Sequence, residues 1–113
     1  MTHDTLSALL ERLQAPILPP TLKAATVRYR FTLGSSEAWD ILLHQGRLAL
    51  DQTTGRPDCL VECTAEEFGA VLSGQHNLLT SFMRGDLRIQ GPLTVAKLLY
   101  TFLRYAHLEE ANG

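Results

Sequence analysis

The sequence predicts an α+β domain with a five-stranded mixed or antiparallel sheet that is covered on one face by about four to five helices. Residues 5–14 carry leucines at helical spacing, and residues 25–63 alternate between apolar and polar side chains with a period of two. Three glycines then divide residues 68–103 into two helical runs, a short alternating segment and an almost wholly apolar helix. A chain that combines segments of helical spacing with segments of period two is typical of a sheet packed against helices.

Length and composition are those of one folded domain. The chain has 113 residues, of which 45% are hydrophobic and 19% are charged, so it is long enough for one core and too short for two. Its net charge of −2 argues against a nucleic-acid partner, because nucleic-acid binders carry a basic stripe. The sequence contains neither an apolar run long enough to span a bilayer nor the pattern of a signal peptide. We therefore expect a cytoplasmic location.

Residues 1–24 are predicted to form an N-terminal helix and a proline-rich linker, both packed on the domain formed by residues 25–113. The helix, residues 5–14, has an apolar face made of Leu6, Leu9, Leu10 and Leu13. Residues 15–20 contain three prolines, which remove backbone donors and restrict the residues before them. We expect an extended segment here, with its apolar side chains packed on the domain.

Period-two alternation predicts four strands in the first half of the domain. They cover residues 25–33, 39–43, 47–51 and 58–63. Turns at residues 34–36 and 44–46 join the first three strands into an antiparallel meander, and a polar loop leads to the fourth. Val27, Tyr29, Phe31 and Leu33 are predicted to face the core, with Arg28 and Arg30 on the opposite face.

The two cysteines, Cys59 and Cys63, lie in the fourth predicted strand. Four residues apart, they share a face but are about 13 Å apart, at about 3.3 Å per residue. They cannot form a disulfide with each other without destroying the strand. We interpret them as small core residues rather than as a metal or redox site.

The next two predicted helices are marked by caps and glycines. Thr64 and Glu67 form a capping-box pattern, in which each side chain caps the other residue's N–H. This accounts for Glu66 and Glu67 without a catalytic role. A second helix is predicted from about 77 to 84, with four apolar side chains facing inward: Leu78, Leu79, Phe82 and Met83. Residues 86–90 are predicted to be the fifth strand.

The last predicted helix runs from 92 to about 105, followed by a polar tail that we expect to fray. Only four positions between the apolar side chains of this helix are polar: Thr94, Lys97, Thr101 and Arg104. This apolar arc is wider than docking on one sheet face requires. Such a helix needs a second apolar neighbour, which can be a ligand, a partner subunit or a membrane surface.

Signatures of an enzyme are missing from the sequence. It contains no nucleophile elbow, no phosphate-binding glycine loop and no closely spaced His/Glu metal motif. Its four histidines are scattered, and we interpret them as surface or turn residues. Asp40 and His44 are four residues apart in a strand, but no nucleophile accompanies them. We expect neither catalysis nor a bound metal or cofactor.

The pattern of the second half resembles the sterol carrier protein type-2 domain. The matching residues, at that family's spacing, are Gly74, Asn77, Phe82, Met83, Gly85, Leu87, Ile89 and Gly91. The similarity extends more loosely back to about Val27. The chain departs from the family pattern at Leu78, where proline is usual, at Ser81, where alanine is usual, at Asp86, where lysine is common, and at Pro92, where a small polar residue is usual.

The resemblance implies an apolar tunnel for lipid between the sheet and the helices. Carried over to this chain, the lipid-binding residues are Trp39, Ile41, Phe68, Leu72, Phe82, Met83, Leu99, Phe102 and Leu103. Without the resemblance, an ordinary core is the better explanation of such side chains. The expected function is non-catalytic binding or transfer of a fatty acyl chain, a sterol-like molecule or an isoprenoid.

The alternative is a protein–protein assembly module that uses the same apolar surface. Bacterial accessory factors of ubiquinone synthesis resemble this family and combine lipid binding with scaffolding. Under this alternative we expect a homodimer through the last helix. Transient membrane contact is a further expectation from the same apolar helix.

Overall fold

A five-stranded sheet with the strand order β3-β2-β1-β4-β5 forms the centre of the molecule. The structure is a computed structural model that describes residues 2–13, 18–34 and 37–112, with side chains through residue 107. In chain order the elements are α1 His3–Arg12, α2 Pro20–Ala24, β1 Thr26–Leu33, β2 Glu37–His44, β3 Arg47–Asp51, β4 Cys59–Cys63, α3 Ala65–Ser73, α4 Leu78–Arg84, β5 Arg88–Gln90 and α5 Leu93–Asn112. The predicted α+β class is confirmed, and the sheet is mixed because β1 and β4 are parallel.

The first three strands form the predicted antiparallel meander. Gln45 and Gly46 connect β2 to β3 with φ angles of 50° and 78°, the positive values that a two-residue hairpin turn needs to match strand twist. Gly34 also has a positive φ, of 65°. The other two residues of the predicted first turn, Ser35 and Ser36, lie outside the described residues.

One face of the sheet is apolar and covered by helices. Val27, Tyr29, Phe31 and Leu33 of β1 are all buried, as their alternation predicts. The ring of Phe31 lies 4.9 Å from that of Phe68 in α3, measured between centroids. This contact joins the central strand to the helical layer, and aromatic pairs at this distance stabilise a core beyond their buried area.

Both cysteines lie on this inner face as free thiols. Cys59 pairs with Tyr29 and Cys63 with Leu33 across the parallel ladder. Burial raises the pKa of each thiol to about 11, so neither is ionised near neutral pH. They are core side chains, in agreement with the interpretation from the sequence.

The opposite face of the sheet carries a charged cluster around Asp40, which is fully buried. Arg30 Nε donates to Asp40 at 2.7 Å, and Arg28 Nη1 donates to its other oxygen at 2.7 Å. Arg28 also reaches Asp51 at 2.6 Å. Arg30 Nη2 donates to the carbonyl oxygens of Thr54 and Gly55. The cluster therefore holds the loop after β3 over the sheet.

The N-terminal region contains one more helix than predicted. α1 begins at His3 and ends at Arg12, two residues earlier at each end than predicted from the leucine spacing. Pro20 begins α2 instead of belonging to an extended linker, because proline fits the first turn of a helix, where its missing N–H has no partner to lose. Leu18 and Leu22 are buried. Residues 15–17 of the predicted linker, and Gln14 at the end of the predicted helix, lie outside the described residues.

The last helix is longer than predicted. α5 continues to Asn112 rather than ending near Tyr105, since residues 106–112 contain neither glycine nor proline and helix formers such as alanine, leucine and glutamate predominate. Thr94 is exposed and Phe102 and Leu103 are buried on α5. The predicted polar and apolar sides of the helix are therefore correct at these positions.

Candidate functional site

A cavity of about 260 Å³ lies where α3, α4 and α5 meet. Its floor is apolar and consists of Val71, Leu78 and Leu103, all of which are buried. Its rim is polar and includes the exposed residues Asn77 and Arg104. An apolar floor with a few polar groups at the mouth is the usual composition of a ligand pocket.

A second, larger depression has a different character. It has a volume of about 460 Å³ and lies at one end of β1, β4 and β5. Glu62, Asp86 and Arg88 are among its lining residues. Since polar and charged groups dominate this lining, the smaller cavity between the helices is the better candidate for an apolar ligand.

The break between α3 and α4 shapes one wall of the cavity. Gly74 ends α3 in the left-handed conformation, with a φ of 89°. A Cβ atom at this position would lie 2.9 Å from the ring of His107 in α5, so glycine permits both the backbone turn and the close approach of the two helices. Asn77 then caps α4, accepting hydrogen bonds from the N–H groups of Leu79 and Thr80.

Glu67 in α3 ties this wall to α4 and to the connection between the two helices. Its carboxylate accepts a hydrogen bond from the hydroxyl of the buried Ser81 in α4. It also contacts His76 Nδ1 at 2.9 Å. Burial acts to raise the pKa of Glu67, but the hydrogen bonds from Ser81 and His76 outweigh it and hold the pKa below its ordinary value. Glu67 therefore stays ionised and fixes the position of His76 in the cavity wall.

The capping-box prediction is half right at this point. The N–H of Glu67 donates to Thr64 Oγ1 at 3.1 Å, so Thr64 is the N-cap. The side chain of Glu67 does not return to the N–H of Thr64 but bonds Ser81 and His76. Local sequence patterns do not reveal these partners, because Ser81 lies on a separate helix that tertiary packing brings to α3.

Tyr100 and Arg104 form the rim on α5. They are one helical turn apart, and Arg104 Nη1 donates to the Tyr100 hydroxyl at 3.2 Å. The guanidinium carbon also lies 5.7 Å from the centroid of the Tyr100 ring, within the range of a cation–π contact. Hydrogen bonds from Asn77 and Arg104 lower the pKa of Tyr100. These contacts fix a guanidinium beside the mouth of the cavity.

Of the nine predicted lipid-binding residues, one lines this cavity, namely Leu103. Five others are packed into the core with almost no exposed surface. They are Ile41, Phe68, Leu72, Leu99 and Phe102. These five belong to the same hydrophobic core as the cavity floor residues Val71, Leu78 and Leu103, but they do not line the cavity.

The other three predicted residues lie at the margins. Trp39 is half-buried in a shallow depression with His3 and Leu50, and Phe82 is half-buried against the core. Met83 was predicted to face inward, and this is wrong because 82% of it is exposed. It lies about 140° around α4 from the buried Leu78, so the two cannot share one face of this short helix.

The described part of the chain contains neither a group of metal-binding side chains nor a membrane-spanning helix. Within residues 2–13, 18–34 and 37–112, no three His, Cys, Asp or Glu side chains are placed to hold a metal ion together. None of the described helices is long and apolar enough to cross a bilayer.

Comparison with known proteins identifies relatives of this fold. Residues 6–104 match the SCP-2 sterol transfer family. No curated protein sequence matches the chain. Among solved structures, a UbiJ-SCP2 ubiquinone synthesis protein superposes with a TM-score of 0.68 at 19% identity, over 93% of this chain and 90% of the other.

Two further structures show how widely the fold occurs. Sterol Carrier Protein 2 Like 2 from Aedes aegypti superposes with a TM-score of 0.56 at 19% identity, over 86% of this chain and 94% of its own. A stereoselective inverting sec-alkylsulfatase from Pseudomonas sp. has a TM-score of 0.64 at 15% identity, over 93% of this chain but only 16% of the sulfatase. The same fold therefore also forms a small part of a much larger enzyme.

Proposed function

The chain belongs to the SCP-2 sterol transfer family, and on this basis we propose that it binds a hydrophobic lipid without chemical turnover. The ligand class is a fatty acyl chain, a sterol-like molecule or an isoprenoid. The observation that carries the proposal is the cavity between α3, α4 and α5, whose apolar floor belongs to the main core.

The size of the cavity determines how such a ligand is held. About 260 Å³ lies below the usual range for ligand pockets, about 300–1,000 Å³. One end of a lipid fits without rearrangement, whereas a long chain must displace packed side chains. The predicted tunnel residues Ile41, Phe68, Leu72, Leu99 and Phe102 are buried in the core, so a long chain that reaches them has to separate packed side chains.

The side chains around the cavity support binding rather than catalysis. The described lining residues include no serine, cysteine, aspartate or glutamate. The two cysteine thiols, Cys59 and Cys63, have a pKa of about 11 because they are buried, and nucleophilic thiols need the opposite shift. The Glu67–His76 pair lacks a partner nucleophile among the residues that line the cavity.

A pair of tryptophan variants on α5 tests the proposal. Leu103→Trp fills the cavity from its floor, whereas Leu98→Trp adds the same volume at a half-buried position that does not line the cavity. Displacement of a fluorescent fatty acid should show saturable binding at about one site per chain in the native protein and in Leu98→Trp. Leu103→Trp should lose this binding while keeping a cooperative thermal transition. Equal binding by both variants would contradict the assigned cavity.

A second candidate function is assembly, and exposed apolar side chains on α4 and α5 favour it. Met83, Leu93 and Tyr105 are 82%, 46% and 38% exposed. A structure of similar fold is described as a ubiquinone synthesis protein, so an accessory role in such a pathway, with a homodimer through α5, is the matching proposal. The same residues support transient membrane contact.

Light scattering after size exclusion distinguishes the assembly proposal from the lipid-binding one. Leu93→Glu should convert a dimer into a monomer, and Thr94→Glu, at an exposed neighbouring position, should leave the mass unchanged. A native protein that is monomeric at all concentrations rules out the homodimer. Co-sedimentation of the same variants with lipid vesicles tests the membrane contact.

A further inference from the structure

We infer that the cavity between α3, α4 and α5 selects an amphiphile with an anionic head group, and that Arg104 is the charged contact for this head. The inference rests on the proposed lipid-binding function and adds the chemistry of the ligand's polar end. It comes from the composition of the rim, which carries cationic and hydrogen-bonding groups above an apolar floor.

The charge around the mouth of the cavity is positive. Nine described residues line it, and none of them is acidic. Arg104 supplies a permanent charge, because a guanidinium does not lose its proton in proteins. His76, Asn77 and Tyr100 add polar groups to the same rim. A carboxylate or phosphate head therefore gains favourable contacts here that a neutral head does not.

Arg104 is held in position before any ligand arrives. Its stacking on Tyr100 and its hydrogen bond to the Tyr100 hydroxyl restrict the guanidinium to one side of the rim. Arg104 forms no ion pair with any side chain that the structure describes. A guanidinium has five N–H donors in a planar fork that suits bidentate binding of a carboxylate or phosphate. Pre-positioning reduces the entropy cost of forming these bonds.

The carboxylate of Glu67 contacts the lining residue His76 but does not itself line the cavity. Its two oxygens accept hydrogen bonds from Ser81 and His76, so they are directed at these partners. His76 uses Nδ1 for its contact with Glu67. Glu67 and His76 thus form the fixed wall of the site, while Arg104 provides its positive charge.

The geometry divides the ligand into two parts. Its head lies at the rim beside Arg104, and the first part of its chain lies on Val71, Leu78 and Leu103. A volume of about 260 Å³ is small for a ligand pocket. The preformed cavity therefore holds only the head group and the first part of the chain. The shared chemistry is an anion on an apolar chain, and a fatty acid and an alkyl phosphate both meet it.

The test compares three ligands that share one chain length: dodecanoate, dodecyl phosphate and dodecan-1-ol. Each competes with the neutral dye Nile red on the full chain at about pH 8, where the carboxylate and the guanidinium are both charged. Inorganic phosphate alone is the fourth arm and reports a plain anion site. The variants are Arg104→Gln, Arg104→Lys and, as a control, Arg47→Gln, an exposed arginine of β3 that does not line the cavity.

The two anionic amphiphiles should bind at least about tenfold more tightly than the alcohol, the effect of one hydrogen bond to a charged group. Arg104→Gln should weaken the two anions until they bind no more tightly than dodecan-1-ol. Arg104→Lys should keep part of the preference, and Arg47→Gln should keep all of it and leave dodecan-1-ol binding unchanged. Inorganic phosphate should not displace the dye.

Three results would overturn the inference. Equal binding of alcohol and anions refutes the head-group preference but leaves the proposed lipid binding intact. A preference that survives in Arg104→Gln refutes the role of Arg104. If none of the chain-bearing ligands binds, the proposed function fails together with the inference. Thermal midpoints of the three variants establish that each remains folded during the comparison.

Discussion

The hydroxyl of Tyr29 in β1 donates a hydrogen bond of 2.6 Å to the carbonyl oxygen of Val95 in the first turn of α5. Tyr29 is fully buried, so this bond ties the centre of the sheet to the helix that forms one side of the cavity. A buried phenol needs such a partner, because an unsatisfied hydroxyl in the core is costly. The distance between α5 and the sheet is therefore fixed by a polar contact as well as by apolar packing.

Tyr29→Phe should reduce the free energy of unfolding by about 1 kcal/mol, the usual net value of one hydrogen bond. Tyr105→Phe, at a partly exposed position on α5, should change it by less than about 0.5 kcal/mol. Urea unfolding measures both. Equal effects would mean that the contact between Tyr29 and Val95 does not contribute to stability.

Alkaline pH provides a second test of Tyr29. Burial raises its pKa above the ordinary value of 10.0, so the stabilisation is complete below about pH 10 and is lost as the pH rises above it. The thiols of Cys59 and Cys63, with a pKa of about 11, add to this loss in any variant. Tyr29→Phe should therefore show a shallower alkaline decline than the native chain, and identical declines would contradict the assignment.

Gly85→Val should destabilise the chain much more than Thr94→Ala. Gly85 ends α4 with a φ of 82°, where a β-branched residue is strained by about 1–3 kcal/mol. No atom would contact a Cβ placed there, so backbone strain is the whole expected effect. Thr94 is exposed on α5, and its replacement should cost less than about 0.5 kcal/mol. Equal urea midpoints would contradict the predicted strain.

Asp40→Asn should reduce stability at neutral pH, because it leaves Arg28 and Arg30 without their shared counterion. Removing one member of a fully buried ion pair costs about 3–5 kcal/mol. Here the two arginine side chains are 21% and 19% exposed, so we expect a smaller loss of at least about 2 kcal/mol for Asp40→Asn. Urea unfolding at neutral pH measures it, and a loss below about 0.5 kcal/mol would show that the cluster is not a stabilising feature.

The same variant should be less sensitive to acid. Burial acts to raise the pKa of Asp40, but the hydrogen bonds from Arg30 and Arg28 outweigh it, and the pKa is lowered from 3.8. The stabilisation is therefore complete above about pH 4 and is lost as the pH falls further. Asp51 and Glu67 also have lowered pKa values, so some acid sensitivity should persist in Asp40→Asn.

The sequence was a good guide wherever local periodicity determines structure. Val27, Tyr29, Phe31 and Leu33 alternate and lie on one face, because neighbouring strands cover both edges of β1 and one side packs on helices. The helix caps at Thr64 and Asn77 were equally predictable, since a cap is satisfied by residues two or three positions away.

Contacts between distant elements were not predictable in this way. In α4, Ser81 is buried and Met83 is exposed. Ser81 is buried because its hydroxyl donates a hydrogen bond to the carboxylate of Glu67 in α3. The spacing of apolar residues along a helix cannot predict that a polar side chain is buried because it forms a hydrogen bond. The cavity likewise depends on the angle between helices, and only Leu103 of the predicted lipid-binding residues lines it.

The buried state of Phe102 also changes how the apolar helix can be probed. Phe102 is one of the predicted lipid-binding residues on the last helix, so Phe102→Asp would be the obvious variant for testing lipid binding and dimerisation. Phe102 is fully buried, so an unpaired charge there would unfold the domain and report on neither property. Exposed or cavity-lining positions such as Leu93 and Leu103 are the appropriate sites instead.

Removal of bound lipid should lower the thermal midpoint of the purified chain, and adding dodecanoate should restore it. A ligand that binds only the folded state stabilises it by about 2.7 kcal/mol at a concentration of 100 times its Kd. At about 4 °C per kcal/mol for a domain of this size, the expected shift is about 10 °C. Leu98→Trp should keep the shift and Leu103→Trp should lose it, since only the second fills the cavity. If the stabilising contact is instead a second copy of the chain, the midpoint should rise with protein concentration and ignore dodecanoate. A midpoint that responds to neither lipid nor protein concentration would contradict both proposed functions and leave the helical layer as an ordinary packed core.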